Sequence, residues 1–127
     1  PGGLRDTEPA ATVEQAYDPD QTQRYSEASG DPMPIHLDDD FAKALGLPGI
    51  IVHGLCTMAF TSRAVIQTAC PEDPTRLRRL AVRFASVVQP HEQVTTRLWD
   101  AGSGRIHFDT TTDAGKTAIK DGLAEVA

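Results

Sequence analysis

Asp31 and His36 stand five positions apart, with Pro32 and Pro34 between them. The prolines stiffen the connection and limit the entropy lost in holding its ends. A carboxylate and an imidazole converging on one water can deprotonate it and pass the proton onward. The imidazole is suited to this because it titrates near neutrality. Taken alone, the pair also fits an Asp capping a turn and a His packed in a loop. Further along, His53-Gly54 opens a long apolar segment. There the first N–H groups of a helix are unpaired and the positive end of its dipole faces outward. Glycine at that junction leaves room for close approach, and it also fits an ordinary loop-to-helix turn. His53 reads as a structural histidine. Asp31, His36, Asp38 and His53 lack a recognisable metal-ligand spacing, so no metal is expected.

These residues need elements to position them. Residues 12–17 alternate as a strand, with Val13, Gln15 and Tyr17 on one face. Asp18-Pro19-Asp20 starts a short polar helix over 21–28, and Ser29-Gly30 ends it. Residues 31–36 cannot be regular helix, because each proline biases its predecessor toward extended geometry. Residues 38–45 read as a short helix with acids in the first turn, and 46–49 as a turn. The segment 53–69 carries one charge and is apolar or small almost all round, the pattern of a buried helix. Cys70-Pro71 closes it.

The remainder alternates as strands. Leu80, Val82 and Phe84 form one set, Val94, Thr96 and Leu98 a second, and Ile106, Phe108 and Thr110 a third. Residues 117–126 supply the last strand, with Asp121-Gly122 as a bulge. Short turns between these strands predict an antiparallel meander. The fold class is therefore α+β, one long buried helix against a five-stranded sheet whose free edge invites a second copy.

A chain of 127 residues fits one domain. Residues 1–11 read as a flexible N-terminal arm and 12–127 as the single domain. The start at Pro1 rather than Met suits a processed chain or a piece of a longer one, and lacks the apolar stretch of a secretory signal. No run of about 18 apolar residues exists to cross a membrane as a helix. Twelve basic residues against eighteen acidic ones give a net charge of −6, which argues against general nucleic-acid binding. Cys56 and Cys70, at about 1.5 Å per helical residue, lie too far apart for a disulfide. Two free thiols point to a reducing compartment, and a cytoplasmic location is expected.

The run Tyr25-Ser-Glu-Ala-Ser-Gly-Asp-Pro-Met-Pro-Ile-His36-Leu-Asp, followed by Gly46-Leu-Pro-Gly-Ile-Ile-Val-His53-Gly54, resembles the MaoC-like dehydratases, also known as the (R)-specific enoyl-CoA hydratase or hydratase 2 group. The stretch Arg78-Arg-Leu-Ala-Val-Arg-Phe-Ala-Ser-Val-Val-Gln-Pro90 is similar to the family's strand after the central helix. The likeness covers residues 20–127. It implies a hot-dog fold, a curved antiparallel sheet wrapped around one long helix. It also implies a hydro-lyase that reversibly adds water to a trans-2-enoyl thioester, giving a (3R)-hydroxyacyl thioester. Asp31 and His36 would activate water and transfer the proton, and the Gly54 N–H would serve as the oxyanion hole.

Ser62 falls where the family lines its acyl pocket, though ordinary packing also suits it. The cluster Arg76, Arg78, Arg79 and Arg83 suits the phosphates of coenzyme A or an acidic acyl carrier protein, with Arg79 and Arg83 as candidate substrate contacts; a solvated strand face is the alternative. No cofactor is implied beyond the thioester carrier. Partners would be a second hot-dog subunit, identical or different, and the acyl substrate, with no nucleic acid and no membrane. Two other functions fit the fold, a non-catalytic acyl-thioester-binding subunit and a hot-dog thioesterase. Two residues depart from the family pattern, Met33 where Asn is usual and His91 where Gly is usual.

Overall fold

The computed structural model describes residues 2–127. In chain order the elements are α1 (Gly2–Arg5), β1 (Ala11–Ala16), α2 (Gln21–Ser29), α3 (Asp39–Ala44), α4 (Gly54–Ala69), β2 (Leu77–Phe84), β3 (Gln93–Gly102), β4 (Arg105–Thr112) and β5 (Thr117–Val126). Single 3-10 turns occupy Pro34–His36 and Pro74–Arg76. The five strands form one antiparallel sheet in the order β1-β3-β4-β5-β2, with α4 packed on β1, β2, β3 and β5. This is the α+β hot-dog arrangement.

The strands follow from their alternation. Val94, Thr96 and Leu98 of β3 face inward, as do Ile106, Phe108 and Thr110 of β4. Leu98, Phe108 and Ile119 meet Val65 of α4 in the main core cluster. Burying a side chain of this size stabilises by roughly 2 kcal/mol. On the outer face Arg97 grips Asp109 through two hydrogen bonds of 2.9 and 2.7 Å. Asp121 adopts φ 52 and the ladder slips beside it, so the expected bulge at Asp121-Gly122 is present.

Two expectations need correction. The four later strands are not one meander: β3, β4 and β5 are consecutive neighbours, but β2 lies at the opposite edge beside β5. The link from β2 to β3 is not a tight turn; it runs back over the head of α4, where Val52 N–H donates to the Val88 carbonyl at 2.7 Å. Second, α4 is not buried all round. Cys56, Thr57, Thr61, Ala64 and Val65 are buried, whereas Leu55, Ala59, Arg63 and Gln67 are exposed. Its small and apolar outer face misled the periodicity argument. The N-terminal segment touches the sheet at several points. Arg5 pairs with Asp121 at 2.9 Å, Trp99 Nε1 donates to the Thr7 carbonyl at 3.0 Å, and Ala10 N–H donates to the Leu98 carbonyl at 2.8 Å. The burial of Trp99 explains that attachment, since an indole N–H needs an acceptor when buried.

A half-buried ion pair, with Glu92 buried and Lys116 partly exposed, fixes the β2–β3 link. Lys116 Nζ donates to Glu92 Oε1 at 3.0 Å and to the Val87 carbonyl at 2.9 Å, and the second Glu92 oxygen is buried without a partner. Burial pushes the Glu92 carboxyl up, but Lys116, Thr112 and the Gln89 N–H outweigh it, and the net shift is downward. A carboxyl held low when folded stabilises above its ordinary value, and that stability is lost as pH falls through the folded value. Lys116→Ala should therefore cost about 2 kcal/mol at neutral pH, because it strands a buried carboxylate. The deficit relative to wild type should shrink once the pH drops below the ordinary glutamate value of 4.5. Thermal melts of both proteins from neutral to acid pH check this; a deficit constant across the range would contradict it.

Candidate active site

The Asp31 loop is bounded by the end of α2 and the start of α3. Gly30, at φ 73, closes α2 with its N–H on the Ser26 carbonyl. Asp38 caps α3 by accepting from Phe41 N–H at 3.2 Å. Between them the two prolines admit only a single 3-10 turn, with the His36 N–H on the Met33 carbonyl at 3.0 Å. Met33 itself is exposed. The loop needs no side-chain anchor at that position, because Ile51 N–H donates to the Ile35 carbonyl at 3.1 Å and the Asp31 N–H to Ser29 Oγ at 3.3 Å.

His36 is buried, and its Nδ1 lies 2.8 Å from the Ile51 carbonyl. A carbonyl can only accept, so Nδ1 carries the hydrogen and Nε2 is left with its lone pair. Asp31 is exposed, and its carboxylate, a nitrogen of His36 and a nitrogen of His53 lie within 4.8 Å of one another. The His36 and His53 rings stack at 3.6 Å between centroids. The two side chains to which the family resemblance gives the catalytic role are thus brought together. His53 joins them, which its reading as a structural histidine did not anticipate.

His36 lines a cavity of about 210 Å³ with Ile51, Gly54, Thr57, Phe84 and Val88 among its walls. Gly54 is the first residue of α4, where N–H groups lack an intrahelical acceptor. A Cβ on Gly54 would sit 3.1 Å from the Phe84 ring, a close approach that the exposed ring can relieve by shifting a few tenths of an ångström. Thr57 accepts or donates a 2.7 Å hydrogen bond with the Tyr17 hydroxyl, and burial pushes that phenol up to about 12. Burial likewise raises the Cys56 thiol to about 11, which removes it as a nucleophile at neutral pH.

The candidate substrate contacts do not gather here. Ser62 turns its hydroxyl back to the Ala59 carbonyl at 2.6 Å. It stands about 100° around the helix from buried Thr61 and lies off the cavity wall. Arg79 pairs with Glu125 at 3.2 Å and Arg83 with Asp121 at 3.6 Å, both exposed. Strand alternation explains it: Leu80 and Val82 turn to the core, so Arg79 and Arg83 on either side of them turn away. Phe84 and Thr57 line the cavity without having been singled out, and no local signal marked either.

An open sheet curled around a single long helix defines the hot-dog class. Within it this chain belongs to the MaoC like domain family, whose model matches residues 1–121. A probable enoyl-CoA hydratase 2 of Dictyostelium discoideum is 36% identical over 121 residues, 94% of this chain and 41% of that protein. The peroxisomal enoyl-CoA hydratase 2 of Arabidopsis thaliana is 36% identical over 112 residues, 88% of this chain and 36% of that one. The crystal structure of a MaoC-like dehydratase from Phytophthora capsici superposes with a TM-score of 0.90 at 34% identity, covering 95% of this chain and 43% of its own. The chain thus spans less than half the length of these relatives. No helix among the described residues is long and apolar enough to cross a membrane.

Proposed function

We propose that this chain is the catalytic unit of a hydro-lyase that adds water to a trans-2-enoyl thioester, or removes it from the (3R)-hydroxyacyl thioester. The observation that carries the reading is the approach of the Asp31 carboxylate and a His36 nitrogen to within 4.8 Å, beside a cavity that Gly54 lines at the head of α4. The His36 Nε2 lone pair accepts a proton from water, which the Asp31 carboxylate orients. The water oxygen bonds to C3 as the C2–C3 π pair moves toward the thioester oxygen. The Gly54 N–H donates to that oxygen while its charge develops. The proton taken from water is then delivered to C2, and the thioester carbonyl is restored. No redox cofactor is needed for this sequence, and the carrier is coenzyme A or an acyl carrier protein.

Two kinds of support bear on partners. The exposed Leu55 and Ala59 face of α4 and the unpaired edges of β1 and β2 suit a second hot-dog unit. Relatives more than twice as long leave room for that unit in the same polypeptide; a homodimer or heterodimer is the alternative. The two buried free thiols fit a reducing, cytoplasmic setting.

The test is loss of enoyl absorbance on crotonyl-CoA, with the assembly's mass measured by light scattering on the same sample. Hydration by a dimer is expected. Gly54→Ala should hydrate roughly tenfold more slowly, since the added methyl crowds the oxyanion position. Its melting temperature should hardly change, because the Phe84 ring it meets is 54% exposed and free to swing. A dimer inert toward both crotonyl-CoA and a longer enoyl-CoA would overturn the proposal.

A further inference from the structure

One side chain touches both members of the Asp31–His36 pair without lining the cavity. His53 is 3% exposed. Its Nε2 lies 3.0 Å from the main-chain carbonyl of Asp31 and 3.3 Å from Ser26 Oγ. Because a carbonyl only accepts, Nε2 carries the hydrogen and donates it to Asp31. The opposite nitrogen, Nδ1, is buried without a partner. The ring lies on that of His36, 3.6 Å between centroids and 19° from parallel, and Tyr25 tilts against it at 4.8 Å.

The mounting of this ring differs from that of the groups it touches. His53 caps α4, and its carbonyl accepts from Cys56 N–H at 3.0 Å and Thr57 N–H at 3.2 Å. It is therefore fixed to the longest helix, at the end beside the site. Asp31 rides on a loop and is exposed, and no side-chain hydrogen bond among the described residues holds its carboxylate. His36 has one ring hydrogen bond, to Ile51, about which the imidazole could rock. A flat ring stacked on it removes that freedom, and the donated hydrogen bond sets the height of the Asp31 backbone.

We infer that His53 is a positioning residue, one ring on α4 that fixes the placement of Asp31 through its carbonyl and the orientation of His36 through the stack. This rests on the reading of Asp31 and His36 as the hydration machinery. His53 meets no substrate and supplies no proton.

Because the two contacts are chemically different, they separate by substitution. His53→Gln keeps an N–H at the reach of Nε2 but loses the ring. His53→Phe keeps a ring against His36 but loses the donor. His53→Ala loses both. With a misplacement of about 1 Å costing roughly 100-fold in rate, His53→Ala should lower kcat about 100-fold with KM within about twofold, and Gln and Phe should each recover about tenfold of that loss. Nitrogen-15 spectra of the His36 ring and the carbon-13 shift of the Asp31 carbonyl, the group that accepts from His53, give a readout independent of activity. Wild type should show His36 locked with hydrogen on Nδ1 and the Asp31 carbonyl resonance displaced downfield by its hydrogen bond. His53→Phe should keep the first and lose the second; His53→Gln should do the reverse.

A kcat for His53→Ala within about threefold of wild type overturns the inference, as do Gln and Phe variants that match each other in both spectral readouts. Should the alanine variant fail to fold, the Gln and Phe pair decides alone. Should wild type hydrate no enoyl thioester, the proposed function fails, while the crossed spectral pattern still establishes the positioning role.

Discussion

Asp31→Asn should lower turnover on crotonyl-CoA by about three orders of magnitude and leave the melting temperature unchanged within about two degrees. The rate effect follows because positioned proton transfer contributes up to roughly 10⁴-fold and an amide cannot orient or hold a proton as a carboxylate does. The stability effect is small because the carboxylate is exposed and the replacement is isosteric. His36 needs more care. Alanine there deletes a buried ring, a 2.8 Å hydrogen bond to Ile51 and the stack on His53, so it confuses chemistry with packing. His36→Asn places an amide N–H near the position of Nδ1 and should retain the Ile51 hydrogen bond. Both variants should lose turnover to a similar degree, and His36→Asn should melt higher. Wild-type turnover in Asp31→Asn or His36→Asn would refute the roles given to them.

The largest effect on stability should come from a residue far from the chemistry. Gly122 opposes Phe108 in the β4–β5 ladder, and a Cβ on it would lie 2.5 Å from the Phe108 ring and 2.6 Å from the Phe108 carbonyl. The ring is fully buried among Leu98, Ile106 and Ile119, so it has nowhere to retreat. The backbone carbonyl is held in the sheet. Gly122→Ala should therefore cost about 3 kcal/mol, the upper range for forcing atoms into a filled core. In a domain of this size that corresponds to a fall of roughly 10 °C in Tm. Gly54→Ala meets a ring at 3.1 Å as well, yet that ring is exposed, and the contrast between the two glycines tests the argument directly. A melt for Gly122→Ala within two degrees of wild type would refute it.

Much of the architecture was legible in local pattern. Alternation located β3, β4 and β5, the Asp121-Gly122 dipeptide marked the bulge, and the two prolines barred a helix through the Asp31 loop. Strand order was not, because the pairing of β2 with β5 joins residues forty or so positions apart and leaves no local trace. The buried helix was overread for a related reason. Leu55 and Ala59 look like core residues, and only the placement of β2 shows that nothing in this chain covers them. At the site, Asp31, His36 and Gly54 stood out through a motif, while Phe84 reaches Gly54 only because β2 ends there. His53 was visible as a residue but not as a neighbour. Its stack on His36 depends on how the Ile51 carbonyl turns the His36 ring.

The strand order also bears on how the molecule is made. Because β5 lies between β4 and β2, it is the piece that ties both halves of the sheet together, and it is the last of the five strands to leave the ribosome. Until it emerges, β2 has no neighbour and α4 faces an open sheet. The nascent chain must carry an unpaired strand and an uncovered apolar helix through some forty residues of synthesis, an interval in which chaperone binding would compete with premature association.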